Sequence, residues 1–382
     1  MITAIALVLI LGLLVFVHEL GHFLAAKLIG VEVKTFAFGF PPRLWSKKVG
    51  ETTYAINALP LGGYVSLRGE DDFDTSDKES LNPRSLLSKK PWQLLFIFVS
   101  GVVMNVILAI VLLYIAFMVG FQPIYSGMWN HAGVSNNLSV AITDVEKDTP
   151  AEKDGILAGD IIKQVDGQNV YLNNEVLTLV RAKNTADGAQ VKLQILRGDA
   201  LLDKTLVTYK AKVAGSGGKE TEVSRVGVVL ETRGNVKGNI FSSLGAAASE
   251  TVHILKLTFV GIFDLFRQLL LKFTLSDNVT GPVGIFVATN YFASLGIVYL
   301  VQFAALLSIS LAVFNVLPIP GLDGGHVAII AAEALARRKF SGKAKNAIQL
   351  IGFGLLILLM VTITIKDFIN FDIIGYVRGV FK

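Results

Sequence analysis

Two histidines and a glutamate fall within five consecutive residues, His18-Glu19-Leu20-Gly21-His22. On a helix, residues four apart are offset by only about 40° and rise about 6 Å, so both imidazoles can bind one small ion. A carboxylate directly after the first ligand can act as general base toward water in a metal-assisted hydrolysis. The apolar run that precedes Glu19 carries no charge, and ionisable groups inside a membrane span are costly and rarely idle. The bland alternative is a polar cluster tying helices together.

A catalytic zinc ion usually takes three protein ligands and leaves a fourth position open. The chain has no cysteine, so thiolate sites and disulfides are both excluded and the third ligand must be a histidine or a carboxylate. Asp323 is the leading candidate. It sits in FNVLPIPGLDGGH, where Pro318 and Pro320 end a helix and Gly321, Gly324 and Gly325 permit close backbone approach. A helix N-cap is its bland reading. His326 is read as supporting or structural, and His131 and His253 as ordinary surface groups. Two asparagines lie in apolar runs, Asn105 after Gly101 and Asn315 shortly before Asp323. An amide in lipid must find partners, so helix–helix hydrogen bonding is favoured for Asn105. For Asn315 that reading stands level with a sharper one, a donor to a substrate carbonyl or oxyanion. Gly101 would let a neighbouring helix come close.

These residues need a membrane scaffold to position them. The 382 residues are 52% apolar and only 17% charged, too greasy for an ordinary soluble protein. Four stretches, about 2–28, 94–120, 294–316 and 347–365, reach the roughly 20 residues a spanning helix needs. The first has no basic stretch ahead of it and no small-residue cleavage site, and is expected to be retained. Lys47-Lys48 and Lys89-Lys90 lie between spans one and two, and Arg337-Arg338-Lys339 between spans three and four. The positive-inside rule places both loops in the cytoplasm, with both termini and the long middle segment outside. The net charge of +5 is accounted for by those loops, and no basic stripe with interleaved aromatics points to nucleic acid.

The first cytoplasmic loop alternates β-formers with turns, through VEVKTFAFGF, RLWSKKVGETTYAINALP and LGGYVSLRG, and predicts a small membrane-associated β-sheet turning at Val49-Gly50. EDDFDTSDKESLNP after it reads as a polar linker. Residues 122–232 have soluble composition: SVAITDV as a strand, a turn with a short helix and hairpin, LNNEVLTLVRAK as an amphipathic helix, AQVKLQILRG opening a further hairpin and GSGGKE as a loop tip. Residues 251–273 gather His253, Lys256, Asp264, Arg267, Gln268 and Lys272 on one side of a helical projection, the pattern of a helix lying in the interface. The organisation expected is therefore 1–121 as the first half of the membrane core, 122–232 as a soluble domain, 233–280 as an interfacial helix region and 281–382 as the second half of the core. The fold class is a polytopic α-helical membrane protein with four transmembrane helices, a small membrane-associated β-sheet and one extracytoplasmic α+β domain.

HELGH at 18–22, LGGYV at 61–65, GVVMN at 101–105 and LPIPGLDGGH at 317–326, in that order and over nearly the whole chain, resemble the site-2 protease family of intramembrane zinc metalloproteases. The bacterial branch typified by the regulator of sigma-E protease is the nearest in kind. The resemblance implies His18, His22 and Asp323 as zinc ligands, Glu19 as catalytic acid–base and Asn315 as a residue that holds substrate. It also implies that the edge around Gly62, Gly63, Tyr64 and Val65 guides an extended substrate by β-pairing. The middle segment is similar to a PDZ domain, through Thr149-Pro150-Ala151, Gly155, Gly159-Asp160 and Val165-Asp166-Gly167. One such unit is evident, where the best-known members of the branch have two.

The same resemblance implies a zinc endopeptidase of the bacterial inner membrane whose active site faces the cytoplasmic side. Its expected partners are the lipid bilayer and single-span substrates such as anti-sigma factors or remnant signal peptides. The PDZ-like domain is expected to contact a substrate ectodomain or another protein. Two other classes compete. A transporter would use the same residues to bind an ion without chemistry, but no inverted repeat is evident. A scaffold assembling through the PDZ-like domain would have no need of Glu19 beside two ligands.

Overall fold

Long unbroken apolar sequence, in which every backbone polar group must be satisfied within its own segment, produces the long helices of this chain. The computed structural model describes residues 2–70, 82–123, 128, 131, 133–183, 188–214, 220–272 and 280–370. The helices outside the middle of the chain are α1 (Ile2–Ile29) and α2 (Pro91–Val119), followed later by α5 (Ile240–Lys272), α6 (Pro282–Leu295), α7 (Ile297–Val316), α8 (Asp323–Ala336) and α9 (Gly342–Asn370). Between them lie α3 (Pro150–Lys153) and α4 (Asn173–Ala182) and the strands β1–β12. The polar stretch at 71–81, most of the GSGGKE tip and the last twelve residues fall outside the described residues.

Five of the described helices, α1, α2, α5, α7 and α9, are long and apolar enough to cross a bilayer, one more than the four expected. The additional one is α5, which extends the predicted 251–273 segment toward its N-terminus. Pro282 opens α6 and Gly296 separates it from α7 at φ 123°, a conformation that favours glycine.

The chain forms two compact units, residues 1–113 with 248–382, and residues 114–247. In the first, Ile10 and Leu14 of α1, Ala304 of α7 and the flanking Leu108, Leu112, Leu300, Leu307 and Leu311 make one apolar cluster. A second joins the end of α1, the start of α2, α8 and the β-sheet through Ala26, Val33, Leu67, Ile97, Phe98 and Ile330. The sheet is built from β1 (Val33–Val49) and β2 (Thr52–Leu67), as the alternation predicts. Both strands bend: residues 35–38 pair on one side with 63–66 and on the other with 53–56, and 53–56 pair again with 45–48. Residues 63–66 therefore form an edge. Gly50 makes the tight turn at φ 61°.

One polar contact in this unit is a helix cap supplied by another helix. Asp367 of α9, 2% exposed, accepts from the backbone N–H of both Gly281 and Gly284 at 2.9 Å. Two of the donors that the first turn of α6 leaves without intrahelical partners are satisfied this way, and the carboxylate complements the helix dipole. Asp367→Ala strands two buried donors and is expected to cost about 2 kcal/mol or more. It should lower the thermal midpoint of the detergent-solubilised protein, with Asp367→Asn falling between.

In the second unit, an antiparallel sheet runs β11 (Val228–Arg233), β4 (Ser139–Val145), β5 (Ile161–Val165), β7 (Gln190–Arg197), β8 (Ala200–Val207), with β6 (Gln168–Asn169) paired to β5. Strict alternation in β7 sends Val191, Leu193 and Ile195 into a core with Val140, Ile142, Ile162 and Leu206. Helix α4 adds Val176 and Val180 from its apolar face. Two small ribbons, β9 (Tyr209–Ala214) with β10 (Glu220–Arg225) and β3 (Val134–Asn136) with β12 (Val236–Gly238), complete it.

Asp160 staples this unit. It accepts two hydrogen bonds from the Arg197 guanidinium at 2.7 Å and one from Leu157 N–H at 2.9 Å. The Arg197 pairing, with the Leu157 N–H behind it, holds the carboxyl below the usual carboxylate range. A depressed folded-state pKa contributes stability that is present above the unfolded value, near 4, and lost as pH falls through the folded one. At neutral pH, Asp160→Asn is therefore expected to speed amide hydrogen exchange in β5 and β7 by about tenfold. The gap from the unaltered protein should close as the solution is acidified.

Candidate metal centre

Helix α1 carries His18 and His22 on one face, a turn apart, and both are buried. Asp323 comes from the first turn of α8. The loop before it folds so tightly that a Cβ on Gly324 would collide with the carbonyls of Val316 and Leu317, and one on Gly325 with that of Ile319. Glycine is the residue that lets α8 start there, and its first turn brings Asp323 to the histidines.

The three side chains converge. His18 Nε2 lies 2.9 Å from Asp323 Oδ2, His22 Nε2 lies 3.3 Å from the same oxygen, and the two Nε2 atoms are 3.2 Å apart. A tetrahedral ion with bonds of about 2.0 Å separates its ligand atoms by about 3.3 Å. The donor set, two imidazoles and a carboxylate, and its near-equilateral spacing thus fit one face of a zinc tetrahedron.

The other ring nitrogens show how the ligands are aimed. His22 Nδ1 lies 2.8 Å from the Ile97 carbonyl, so Nδ1 carries the proton and leaves the Nε2 lone pair for a metal. His18 Nδ1 lies 3.1 Å from the side-chain amide of Asn105, whose Oδ1 is buried without a hydrogen-bond partner. With a metal on Nε2, His18 Nδ1 is a donor; the structure turns Asn105 Nδ2 toward it, and a flip of the amide exchanges that nitrogen for the unpartnered oxygen. Ser308 of α7 donates to the backbone carbonyl of Asn105 at 2.8 Å, which ties that turn of α2 to a third helix.

Close approach of α1 and α2 is a glycine effect. A Cβ on Gly21 would strike Ser100 O and come within 2.9 Å of Gly101 Cα. A Cβ on Gly101 would lie 2.5 Å from His22 Nε2 and 2.8 Å from His18 Cε1. Both glycines leave the space that the imidazoles fill.

Glu19 faces the sheet edge. Its Oε2 accepts from Val65 N–H at 3.0 Å, and a Cβ on Gly63 would stand 3.7 Å from its Cγ. Of the edge residues singled out in the sequence, Gly63 and Val65 are thus beside Glu19, and Gly63 and Tyr64 pair with Phe38 and Ala37. Gly62, at φ 150°, adjoins Phe40 and Val15. Asn315 lies half-buried in the last turn of α7. His326 stacks on Phe98 with ring centres 4.5 Å apart, and His131 meets Phe117 edge-on at 5.7 Å.

Sequence reasoning underrated Asn105. It does hydrogen-bond between helices, as expected, but its partner is a candidate metal ligand. The available signal was spacing: Gly101 and Asn105 are four apart, hence on one face of α2, and that is the face the histidines meet.

Comparison with known proteins decides the family. The model of peptidase family M50 matches residues 6–359. The chain belongs to peptidase family M50. A Clostridium perfringens relative, named as a candidate zinc metalloprotease, is 33% identical over 93% of this chain and 95% of its own. The zinc metalloprotease RasP of Bacillus licheniformis is 28% identical over 96% of this chain and 98% of its own. Among solved structures, the PDZ domain of an SdrC-like protein from Listeria monocytogenes matches 24% of this chain and 85% of its own at 24% identity, with a TM-score of 0.19, too slight a likeness to establish a fold. An M50 protein of this length with several apolar helices is a zinc metalloprotease of the inner membrane and passes through it more than once.

Proposed function

We propose that this M50 protease cuts a peptide bond within the transmembrane segment of single-span substrates. In this reading His18, His22 and Asp323 hold zinc, and Glu19 is the acid–base. The observation that carries it is the convergence of three ligand atoms within about 3.3 Å, beside a glutamate that the ligand triangle does not use. Zinc, when bound, polarises the scissile carbonyl and makes the attacking water more acidic. Glu19 takes the proton from that water and returns it to the leaving amine. His22 is held for its task by the Ile97 carbonyl and His18 by Asn105.

A helical peptide bond is shielded, so the substrate must be extended at the point of cleavage. The edge at Gly62, Gly63, Tyr64 and Val65 supplies backbone groups against which an extended strand can lie, with Glu19 hydrogen-bonded to that same edge. Asn315 then serves as a donor to the substrate carbonyl. Anti-sigma factors and remnant signal peptides are the substrate classes that suit such a site.

We read four helices, α1, α2, α7 and α9, as the true spans. Contacts run antiparallel between α1 and α2, with His18 at Asn105 and His22 at Ile97. The Asn105–Ser308 bond and the Ile10–Leu14–Ala304 cluster make α7 run parallel to α1. The chain therefore enters α7 on the side where it left α2. A single crossing by α5 would break that parity, and the 14 residues of α6 are too few to restore it. This supports α5 as a helix that does not cross, the basic loops and active site toward the cytoplasm, and residues 122–232 outside as a PDZ-like domain that contacts substrate ectodomains or another protein.

The test is cleavage of a purified single-span substrate in detergent. Removal of zinc by a chelator should abolish cleavage, and stoichiometric zinc should restore it. Cleavage that persists after the metal has been removed, with zinc content measured on the same sample, would sink the proposal.

A further inference from the structure

A cavity of 350 Å³ is lined in part by the stacked rings of His326 and Phe98. Its lining has two chemistries. Leu86, Leu94, Phe98, Ile329 and Ile330 make an apolar wall, while the rim carries Lys89, Arg337, Arg338, Lys339 and Lys345 against only Glu70 and Glu333. Glu333 is already paired with Lys345 at 2.7 Å, and Lys89 is bonded to the carbonyls of Ile29 and Pro83. Arg337, Arg338 and Lys339 are exposed and form no ion pair among the described residues.

Two further observations bear on what the cavity takes. Arg337 ends α8 at φ 50°, a left-handed position where glycine or asparagine is the inexpensive choice. A long cation is held there at a conformational cost, at the rim. The cavity is also walled by Lys345 and Gln349 of α9, the span least buried by the rest of the protein and so the one most surrounded by lipid.

We infer that this cavity binds an anionic phospholipid of the cytoplasmic leaflet, its phosphate held by Arg337, Arg338 and Lys339 and an acyl chain lying on the apolar wall. A free anion would have no use for the wall, and a neutral lipid none for the rim. Juxtamembrane cations each add to the attraction for an anionic surface, and the guanidinium groups of Arg337 and Arg338 suit a phosphate oxygen pair. None of His18, Glu19, His22 and Asp323 lines the cavity, and only the choice of leaflet rests on the orientation proposed above.

The experiment titrates the full-length protein in neutral detergent with acyl-labelled phosphatidylglycerol and, in parallel, with phosphatidylcholine carrying the same label. The anionic lipid should bind about tenfold more tightly. Arg337→Glu/Arg338→Glu should erase that preference, and Ala334→Trp, which fills the cavity from α8, should weaken both lipids. Far-ultraviolet circular dichroism and the thermal midpoint measured on every variant show that the fold is retained. Equal affinity for the two lipids, or a preference that survives the charge reversal, would overturn the inference. Displacement by inorganic phosphate at the same concentration as the lipid would do so too, since the head group alone would then suffice. So would tight binding of an acidic single-span peptide with no lipid preference, which would make the cavity a substrate groove.

Discussion

Glu19→Gln is expected to reduce cleavage by about 10²–10⁴-fold while zinc content and thermal stability stay unchanged. The carboxamide has the size of the carboxylate, so α1 and the sheet edge need not move. Its oxygen can still accept from Val65 N–H, the 3.0 Å bond that holds Glu19 against the strand. Neither ligand is touched, and the contacts of His22 with Ile97 and of His18 with Asn105 remain. What is lost is the ability to take a proton from water, because an amide oxygen is far less basic than a carboxylate. The comparison with Glu19→Ala sharpens the result. Alanine also frees Val65 N–H, so any loss of substrate affinity beyond the Gln variant measures what the anchored side chain does for the strand edge. Steady-state cleavage of a single-span substrate, with metal analysis of the same preparation, reads both. A Gln variant with full activity would remove Glu19 from the reaction, and one that has lost its zinc would assign it a structural task instead.

Much of the candidate site is legible in the sequence because its parts are local. His18, Glu19 and His22 need only the 3.6-residue period of a helix, and the proline and glycine content of 317–326 announces a break that returns the chain toward that helix. Depth, read from the basic loops, then pairs Asp323 with the histidines across some three hundred residues of sequence. The remainder is invisible for a physical reason. Asn105 reads as helix–helix glue because the sequence does not say which helix it meets, and only packing puts His18 at the end of its amide. The Val65 N–H and the Ile97 carbonyl belong to the backbone, which every residue possesses, so no residue type marks them. Helix α5 is ambiguous for another reason. Its polar residues describe an interfacial face, while its length and composition meet the requirement for a span, so its own residues do not distinguish the two.

The second large effect concerns a residue with no chemistry of its own. Gly101→Ala should empty the metal centre, lowering bound zinc and cleavage together by about 10²-fold. The added methyl would sit 2.5 Å from His22 Nε2 and 2.8 Å from His18 Cε1, where no real contact is tolerated, so something must shift. Neither ring can turn aside cheaply. His22 is held by Ile97 O and His18 by Asn105, and each ring loses its partner if it rotates. The helices cannot separate cheaply either, because Gly21 is packed onto the backbone of Ser100 and Gly101 itself. The strain therefore falls on the two nitrogen atoms that must point at the ion. Gly354→Ala is the matched control, a glycine within α9 whose added methyl meets nothing within 4 Å, so the higher helix propensity of alanine makes it neutral or mildly stabilising. Metal analysis and cleavage on the two variants side by side separate a packing effect at the site from a general sensitivity of spanning helices to glycine replacement. If Gly101→Ala keeps its zinc, the imidazoles have room that this geometry denies them, and the histidines must approach the ion from another direction.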